Sequence, residues 1–393
     1  MGLMGYGNSW RAHRRLFHQY FRSTIVFTYH PSSTKAVREM IRRLRDTPDH
    51  FMRHIRFMAG SNILRIVYGM EVESEDDPNL ALVEEGIKIV SRIANAGAYL
   101  VDSFPIMQHI PAWFPGAQFK RDGARWKPIV EEMFTRPYKE LKASFDNGDP
   151  KPCVLTSMLY NISQDEEDPN RSMLEDVVIN TSGTTYIAAS DTTTSTLHTF
   201  VLAMSMHPEL QKRAQEELGD IVGQDRLPEM GDRDALPFIT AIVKECLRWR
   251  PALPLASPHR SVTDDEYEGF YIPAGSLVIG NAWAILHDKE RYPDPDTFNP
   301  SRFINREGRL RKDVPDPTEA FGWGRRICPG RYFFLDLAWL AAANILAVFS
   351  IEKPIDELGN VVEPSGEYTT GLFSFPVPFK ATFKVRSNVG VLV

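Results

Sequence analysis

The sequence is short of cysteine: among 393 residues there are three, Cys153, Cys246 and Cys328, widely scattered. That excludes a disulfide framework, and a zinc site built from cysteine alone would need four. Reduced cysteines facing the cytosol are the natural reading. No long apolar run is present either. The longest, residues 337–349, is interrupted by Asn344 and falls well short of the ~20 residues that span a bilayer, so it reads as a buried helix. There is no surplus of positive charge: 45 Lys and Arg stand against 51 Asp and Glu, a net charge of −6. A general attraction to nucleic acid or anionic lipid is thereby excluded, and any basic surface must be local. Internal repeats and low-complexity segments are absent, and 25 Gly with 28 Pro is too few for a fibrous or disordered chain. Acidic residues are missing from the start, where Glu39 is the first. An Arg- and His-rich start of this kind also occurs in organelle transit peptides. Position 6, however, is Tyr6 and not the Ser or Thr of a myristoylation signal, and no address is legible at this end.

What the chain does have is a core: 43% hydrophobic and 24% charged residues describe an ordinary globular interior. Length alone leaves the domain count open. The clearest linker-like stretch is 147–170, with Gly148, Pro150 and Pro152 and an acidic end. Ser172 and Glu175 form a capping box that predicts a helix start. From there apolar residues continue through Val177, Val178, Ile187, Leu197, Phe200, Val201 and Met204 to His207-Pro208, enough for one helix of about thirty residues. Pro208 suits the first turn of a second helix through Leu218, and residues 237–249 make a third that Pro251 stops. Short β-rich runs follow. Residues 267–272 and 276–279 flank Pro273-Ala274-Gly275 as an expected hairpin. A last helix over about 331–349 precedes a β-like tail containing Phe373-Ser374-Phe375-Pro376. The fold class expected is mainly α with minor β.

The most informative segment is Phe321-Gly322-Trp323-Gly324-Arg325-Arg326-Ile327-Cys328-Pro329-Gly330, which opens onto the last helix. A thiolate just before a helix N-terminus is stabilised by free amides and the positive end of the dipole. Flanking glycines let backbone approach a flat macrocycle, which is how one cysteine can hold haem iron. A lone cysteine is more commonly a buried residue in a Gly-rich turn, so Cys328 on its own would not carry this reading. The whole string, however, resembles the haem-binding signature of the cytochrome P450 family, Phe-x-x-Gly-x-Arg-x-Cys-x-Gly, at every specified position.

The resemblance continues elsewhere. Glu245-Cys246-Leu247-Arg248 is similar to the family's Glu-x-x-Arg motif, and Phe298-Asn299-Pro300-Ser301-Arg302-Phe303 to its Phe-x-Pro-Glu-Arg-Phe, with Ser301 in place of Glu. Together they imply a structural ion-pair network of Glu245, Arg248 and Arg302 that braces the cysteine loop. Glu and Arg at i and i+3 share a helix face; as an isolated pair they would be only a solvated surface contact. Ser190-Asp191-Thr192-Thr193-Thr194-Ser195-Thr196 places seven hydroxyl or carboxyl side chains inside the expected long helix, where they compete for backbone carbonyls and bend it, or else form a polar loop between two shorter helices. Ala188-Ala189-Ser190-Asp191-Thr192-Thr193 resembles the family's oxygen-activation motif, with Ala189 for the usual Gly. Asp191 and Thr192 then become the catalytic pair that relays protons during oxygen reduction.

From the resemblance follow the remaining assignments. Cofactor contacts to haem b are expected from Cys328 as axial metal ligand, and from Arg326, Phe321 and Gly324. Trp10 and Arg14, four apart on one helical face, match a Trp-x-x-x-Arg pattern that approaches a haem propionate, and His259 is a further propionate partner or an ordinary loop histidine. Ala188, Leu255, Ala256 and Leu372 would line the substrate pocket. Arg11, Arg15, Arg325 and Arg331 would form a basic patch for an acidic redox partner, which in eukaryotic relatives is NADPH–cytochrome P450 reductase. Phe104-Pro105-Ile106 and Pro111-Ala112-Trp113-Phe114-Pro115-Gly116 either touch a membrane surface or pack into the core. The wording, notably Thr369-Thr370-Gly371-Leu372-Phe373, is similar to fungal, basidiomycete microsomal members of secondary metabolism or xenobiotic oxidation.

The expectation is therefore a haem-thiolate monooxygenase acting with O2 on an apolar organic substrate, one haem domain over residues 1–393, with no nucleic-acid partner. Against the family pattern Trp10 lies unusually near the start. This implies an N-terminally truncated chain without the membrane helix, the hinge, the first helices, two strands of the main sheet and the first substrate-contacting loop. A full-length relative would sit on the cytosolic face of the endoplasmic reticulum membrane. Two alternatives stay open: a haem-binding but inactive truncated product, and a haem-thiolate isomerase or peroxide-driven enzyme.

Overall fold

A computed structural model describes residues 1–2, 4–95, 97–163 and 171–386. Its helices are α1 (Asn8–Phe21), α2 (His30–Asp46), α3 (Phe51–Tyr68), α4 (Pro78–Ala94), α5 (Leu100–Ser103), α6 (Gln118–Asp146), α7 (Val154–Ser163), α8 (Arg171–Met206), α9 (Pro208–Ile221), α10 (Pro237–Trp249), α11 (Ala282–Leu286) and α12 (Arg331–Val348). The strands are β1 (His259–Arg260), β2 (Asp265–Tyr267), β3 (Phe270–Ile272), β4 (Leu277–Val278), β5 (Phe349–Glu352) and β6 (Thr382–Val385), paired antiparallel as β1–β4, β2–β3 and β5–β6. The mainly α, minor β class is as the sequence predicts.

The chain forms two compact units. The first holds residues 1–194 and 332–337, and the second residues 195–331 and 338–393. In the first, α3 is buried on nearly every side, because its sequence is apolar or small around the whole helix. It ends at Gly69, whose φ of 64° supplies the left-handed cap that lets Gly69 N–H bond Arg65 O at 2.9 Å. The Arg-rich start is folded into this unit: α1 buries Trp10, Phe17 and Phe21, and α2 buries Val37, Met40 and Ile41. In the second unit α10 buries every residue from Phe238 to Trp249 except Lys244.

Three expectations need correction. The stretch 147–170 is not a linker over its length: residues 154, 155, 158 and 159 form an apolar helical stripe and are buried in α7. Its last part, 164–170, lies outside the described residues. Ser172 lies inside α8, which already includes Arg171, and does not cap it. The hairpin is displaced: β2 pairs with β3 through Glu268-Gly269, at φ 51° and 83°, the two positive values a tight I′-type turn needs. Pro273-Ala274-Gly275 also turns the chain, with Ser276 N–H on Pro273 O at 3.2 Å, but it returns β4 to β1 and not to β3.

The polar run 190–196 stays within one continuous helix, so it is not a loop. The competing hydroxyls fold back along that helix: Thr185 donates to Thr181 O at 2.7 Å, Thr192 to Ala188 O at 2.8 Å and Thr194 to Ser190 O at 2.8 Å. Among the described helices, α12 alone is long and apolar enough to cross a membrane, and it is mostly buried. The tail segment around Phe375 makes a single bridge, Tyr368 to Pro376, and the regular tail strand is β6.

Candidate functional site

In the second unit, the segment from Phe321 to α12 is a tight loop. Gly322 and Gly324 take φ of 77° and 57°, conformations open to glycine at little cost. The loop closes on itself when Cys328 N–H bonds Phe321 O at 2.8 Å. Arg331, at the start of α12, donates to Cys328 O at 3.0 Å. This ties Arg331 to the cysteine loop. Cys328, Arg326 and Phe321 are half-buried, and Gly324 and Arg325 exposed. A residue the sequence did not single out supports this loop. Gly280 lies so close to Trp323 that a Cβ there would come within 2.1 Å of the indole ring.

The same unit brings Glu245, Arg248 and Arg302 together. Glu245 and Arg248, both 0% exposed, make a bidentate pair, with Arg248 Nε on Oε2 at 2.7 Å and Nη2 on Oε1 at 2.8 Å. Arg302 Nε reaches Glu245 Oε1 at 3.2 Å and the Asn299 amide donates to it at 2.7 Å. The arginines' other hydrogens fix the chain before Arg302: Arg248 donates to Leu286 O, Pro295 O and Thr297 O, and Arg302 to Pro293 O, Asp294 O and Thr297 O. Such saturation is what a buried charge cluster requires. Ser301, the departure from the family pattern, accepts from Arg213 Nη1 at 2.9 Å. Of the other residues here, His259 and Leu255 are exposed and Leu372 half-buried. Ala256 is held at φ 50°, a strained value for a residue with a Cβ.

In the first unit, Asp191 is 3% exposed and takes Arg56 Nη1 of α3 on Oδ1 at 2.7 Å. Burial raises the Asp191 carboxyl above its ordinary range, while the Arg56 guanidinium pulls the other way. Glu84 of α4 lies 4.0 Å from Arg56 Nε. Arg56 was not legible as a partner, because it is 135 positions away in sequence and no motif marks it. Thr192 is half-buried and Ala188 exposed. Trp10 and Arg14 share one side of α1 and, with Arg11, Arg15 and His18, line a surface cavity of about 350 Å³. The segment around 104–116 is not core: Ile106 is 77% and Trp113 79% exposed, with Phe104 and Phe114 exposed beside them.

The donor chemistry suits a haem. Haem iron needs a single axial protein ligand, and the loop before α12 presents one half-buried cysteine, Cys328. The comparisons define the class. The cytochrome P450 family profile matches residues 3–375, and the chain belongs to this family. It is 42% identical to a cytochrome P450 monooxygenase of Armillaria gallica over 99% of this chain and 76% of the relative. It is 40% identical to a cytochrome P450 monooxygenase of Coprinopsis cinerea over 98% and 74%, and 36% identical to tryptamine 4-monooxygenase of Psilocybe cyanescens over 99% and 76%. Membership makes the protein a monooxygenase, an oxidoreductase that incorporates molecular oxygen, and implies a haem with a cysteine thiolate ligand. Enzymes of this family generally draw electrons from a redox partner and act on organic substrates.

Proposed function

We propose that the protein is a haem b monooxygenase with Cys328 as axial ligand, oxidising an apolar organic molecule with electrons from NADPH–cytochrome P450 reductase, in fungal secondary metabolism or xenobiotic oxidation. The observation that carries this reading is the Cys328 loop, closed by its own amide on Phe321 and placed immediately before α12. Thiolate-ligated haem supplies oxygen binding and the electron density that favours O–O cleavage. Arg326, Phe321 and Gly324 support the cofactor from the cysteine loop, Trp10 and Arg14 from α1, and His259 from β1. The family match runs through both compact units, which supports reading residues 1–393 as one haem domain.

Asp191 and Thr192 hold and pass protons. With its proton affinity raised by burial, Asp191 is suited to accept a proton, and Arg56 keeps the carboxylate oriented. Thr192 Oγ1 keeps its proton on Ala188 O and offers its lone pairs to water. Ala188, Leu255, Ala256 and Leu372 would contact substrate, and the braced network of Glu245, Arg248 and Arg302 holds the chain around the loop. Contact with a membrane surface is supported by the exposed Phe104, Ile106, Trp113 and Phe114. The test is the reduced carbon monoxide difference spectrum of the haem-loaded chain. A red-shifted Soret band that disappears in Cys328→Ser is expected; a band kept in the variant, or absent from the wild type, refutes the assignment.

A further inference from the structure

The C-terminus of α10 carries a second feature that none of the oxygenase residues occupies. Arg250 follows Trp249 as the helix cap, and its guanidinium lies over two rings, 4.7 Å from the Trp249 centroid and 5.1 Å from that of Tyr368. Cation–π contacts of this kind hold a guanidinium in place without neutralising it. Among the described residues Arg250 makes no ion pair, and its buried Nε donates to no acceptor. It lines a cavity of about 280 Å³ with Pro251, Pro254, Trp283, Tyr368 and Ser374. No acidic side chain lines this cavity.

We propose that this cavity is a binding site for a small aromatic carboxylate, with the carboxylate on Arg250 and the ring against Trp283. Each part of the ligand is set by the lining. A planar guanidinium with donors to spare matches a carboxylate fork, and a single cation matches one negative charge better than the two of a phosphate. The apolar remainder asks for a flat ring. Trp283 is 41% exposed and backed by His287, stacked at 4.3 Å and 16° with its Nδ1 hydrogen-bonded to Trp283 O. The indole is therefore held as a fixed wall. At about 280 Å³ the cavity lies at the small end of ligand sites, room for one ring and its acid. The rigid prolines and the bond from Tyr368 Oη to Thr199 Oγ1 at 3.1 Å pre-form it, so little ordering is needed on binding.

The site is independent of the oxygenase reading, since Cys328, Asp191, Thr192 and the residues assigned to substrate are not among its walls. The experiment is calorimetric titration of the full chain with benzoate, and with benzamide as the neutral isostere. One-to-one benzoate binding is expected, at least tenfold tighter than benzamide. Arg250→Gln removes that preference, and Trp283→Ala weakens both ligands while keeping it. Circular dichroism checks that the variants fold. If Arg250→Gln does not fold, the benzoate-to-benzamide ratio and Trp283→Ala still decide. No saturable heat in the millimolar range, equal binding of acid and amide, or undiminished binding by folded Arg250→Gln would overturn the proposal.

Discussion

Removing the Glu245 carboxylate should be more damaging than removing Arg302, the outer of the two arginines it holds. In Glu245→Ala, four donor contacts from Arg248 Nε and Nη2, Arg302 Nε and the Asn299 amide lose their acceptor at once, and Arg248 is left with a fully buried, uncompensated charge. Breaking a buried pair from one side costs about 3–5 kcal/mol, a large part of the ~5–15 kcal/mol by which proteins are stable. Arg302→Ala is different in kind. Its side chain is 8% exposed, Glu245 keeps three of its four donor contacts, and the bonds also lost to Pro293 O, Asp294 O and Thr297 O are solvent-accessible, so the loss should be about 2–3 kcal/mol. Because the Arg302–Glu245 bond is counted in both single variants, the double variant should cost less than their sum. Urea unfolding followed by circular dichroism measures this, with midpoint shifts multiplied by a common slope. A Glu245→Ala protein within about 0.5 kcal/mol of wild type, or a double variant that loses the full sum, would refute the reasoning.

Three further outcomes are expected. Gly280→Ala should push Trp323 out of place, at a cost of about 1–3 kcal/mol, and weaken haem retention; haem content after gel filtration reads this, and unchanged retention counts against Gly280 supporting the loop. Burial raises the Asp191 carboxyl's pKa, so the folded chain binds its proton more tightly than the unfolded one. The stability this contributes is full below the unfolded value, about pH 3.9, and is lost as pH rises through the native one. Relative to Asp191→Asn, wild type should therefore lose ground as the pH of a denaturation series rises, and a difference that is flat or grows the other way contradicts this. Trp113→Ser and Ile106→Ser should each leave the fold intact and reduce sedimentation with phosphatidylcholine vesicles, and equal sedimentation would remove the case for membrane contact there.

Much of this was legible in the sequence because it is local. The helices α9 and α10 were marked by Pro208 at the start of one and Pro251 just past the end of the other, α12 by its apolar run, and the Cys328 loop and the Glu245–Arg248 spacing are each carried by a few consecutive residues. Apolar periodicity continuing past residue 196 indicated that α8 crosses its polar run, although hydroxyl-rich composition argued for a break there. Tertiary structure was needed to show how the hydroxyls are satisfied, by carbonyls four residues back. The misplaced hairpin shows where local reading fails: both Glu268-Gly269 and Pro273-Ala274-Gly275 are turns, and which strands then pair depends on partners as remote as His259.

Sequence by itself determined the family and the mainly helical class and marked the candidate site residues, since each rests on side-chain types at short, regular spacing. Tertiary structure alone decided what those residues lean on. Arg56 meets Asp191 across 135 positions, Gly280 makes room for Trp323, Arg213 takes up the hydroxyl of Ser301, and Arg250 keeps its charge between two rings. Such contacts join residues far apart along the chain, and close approach, burial and charge compensation come into being only when packing brings them together.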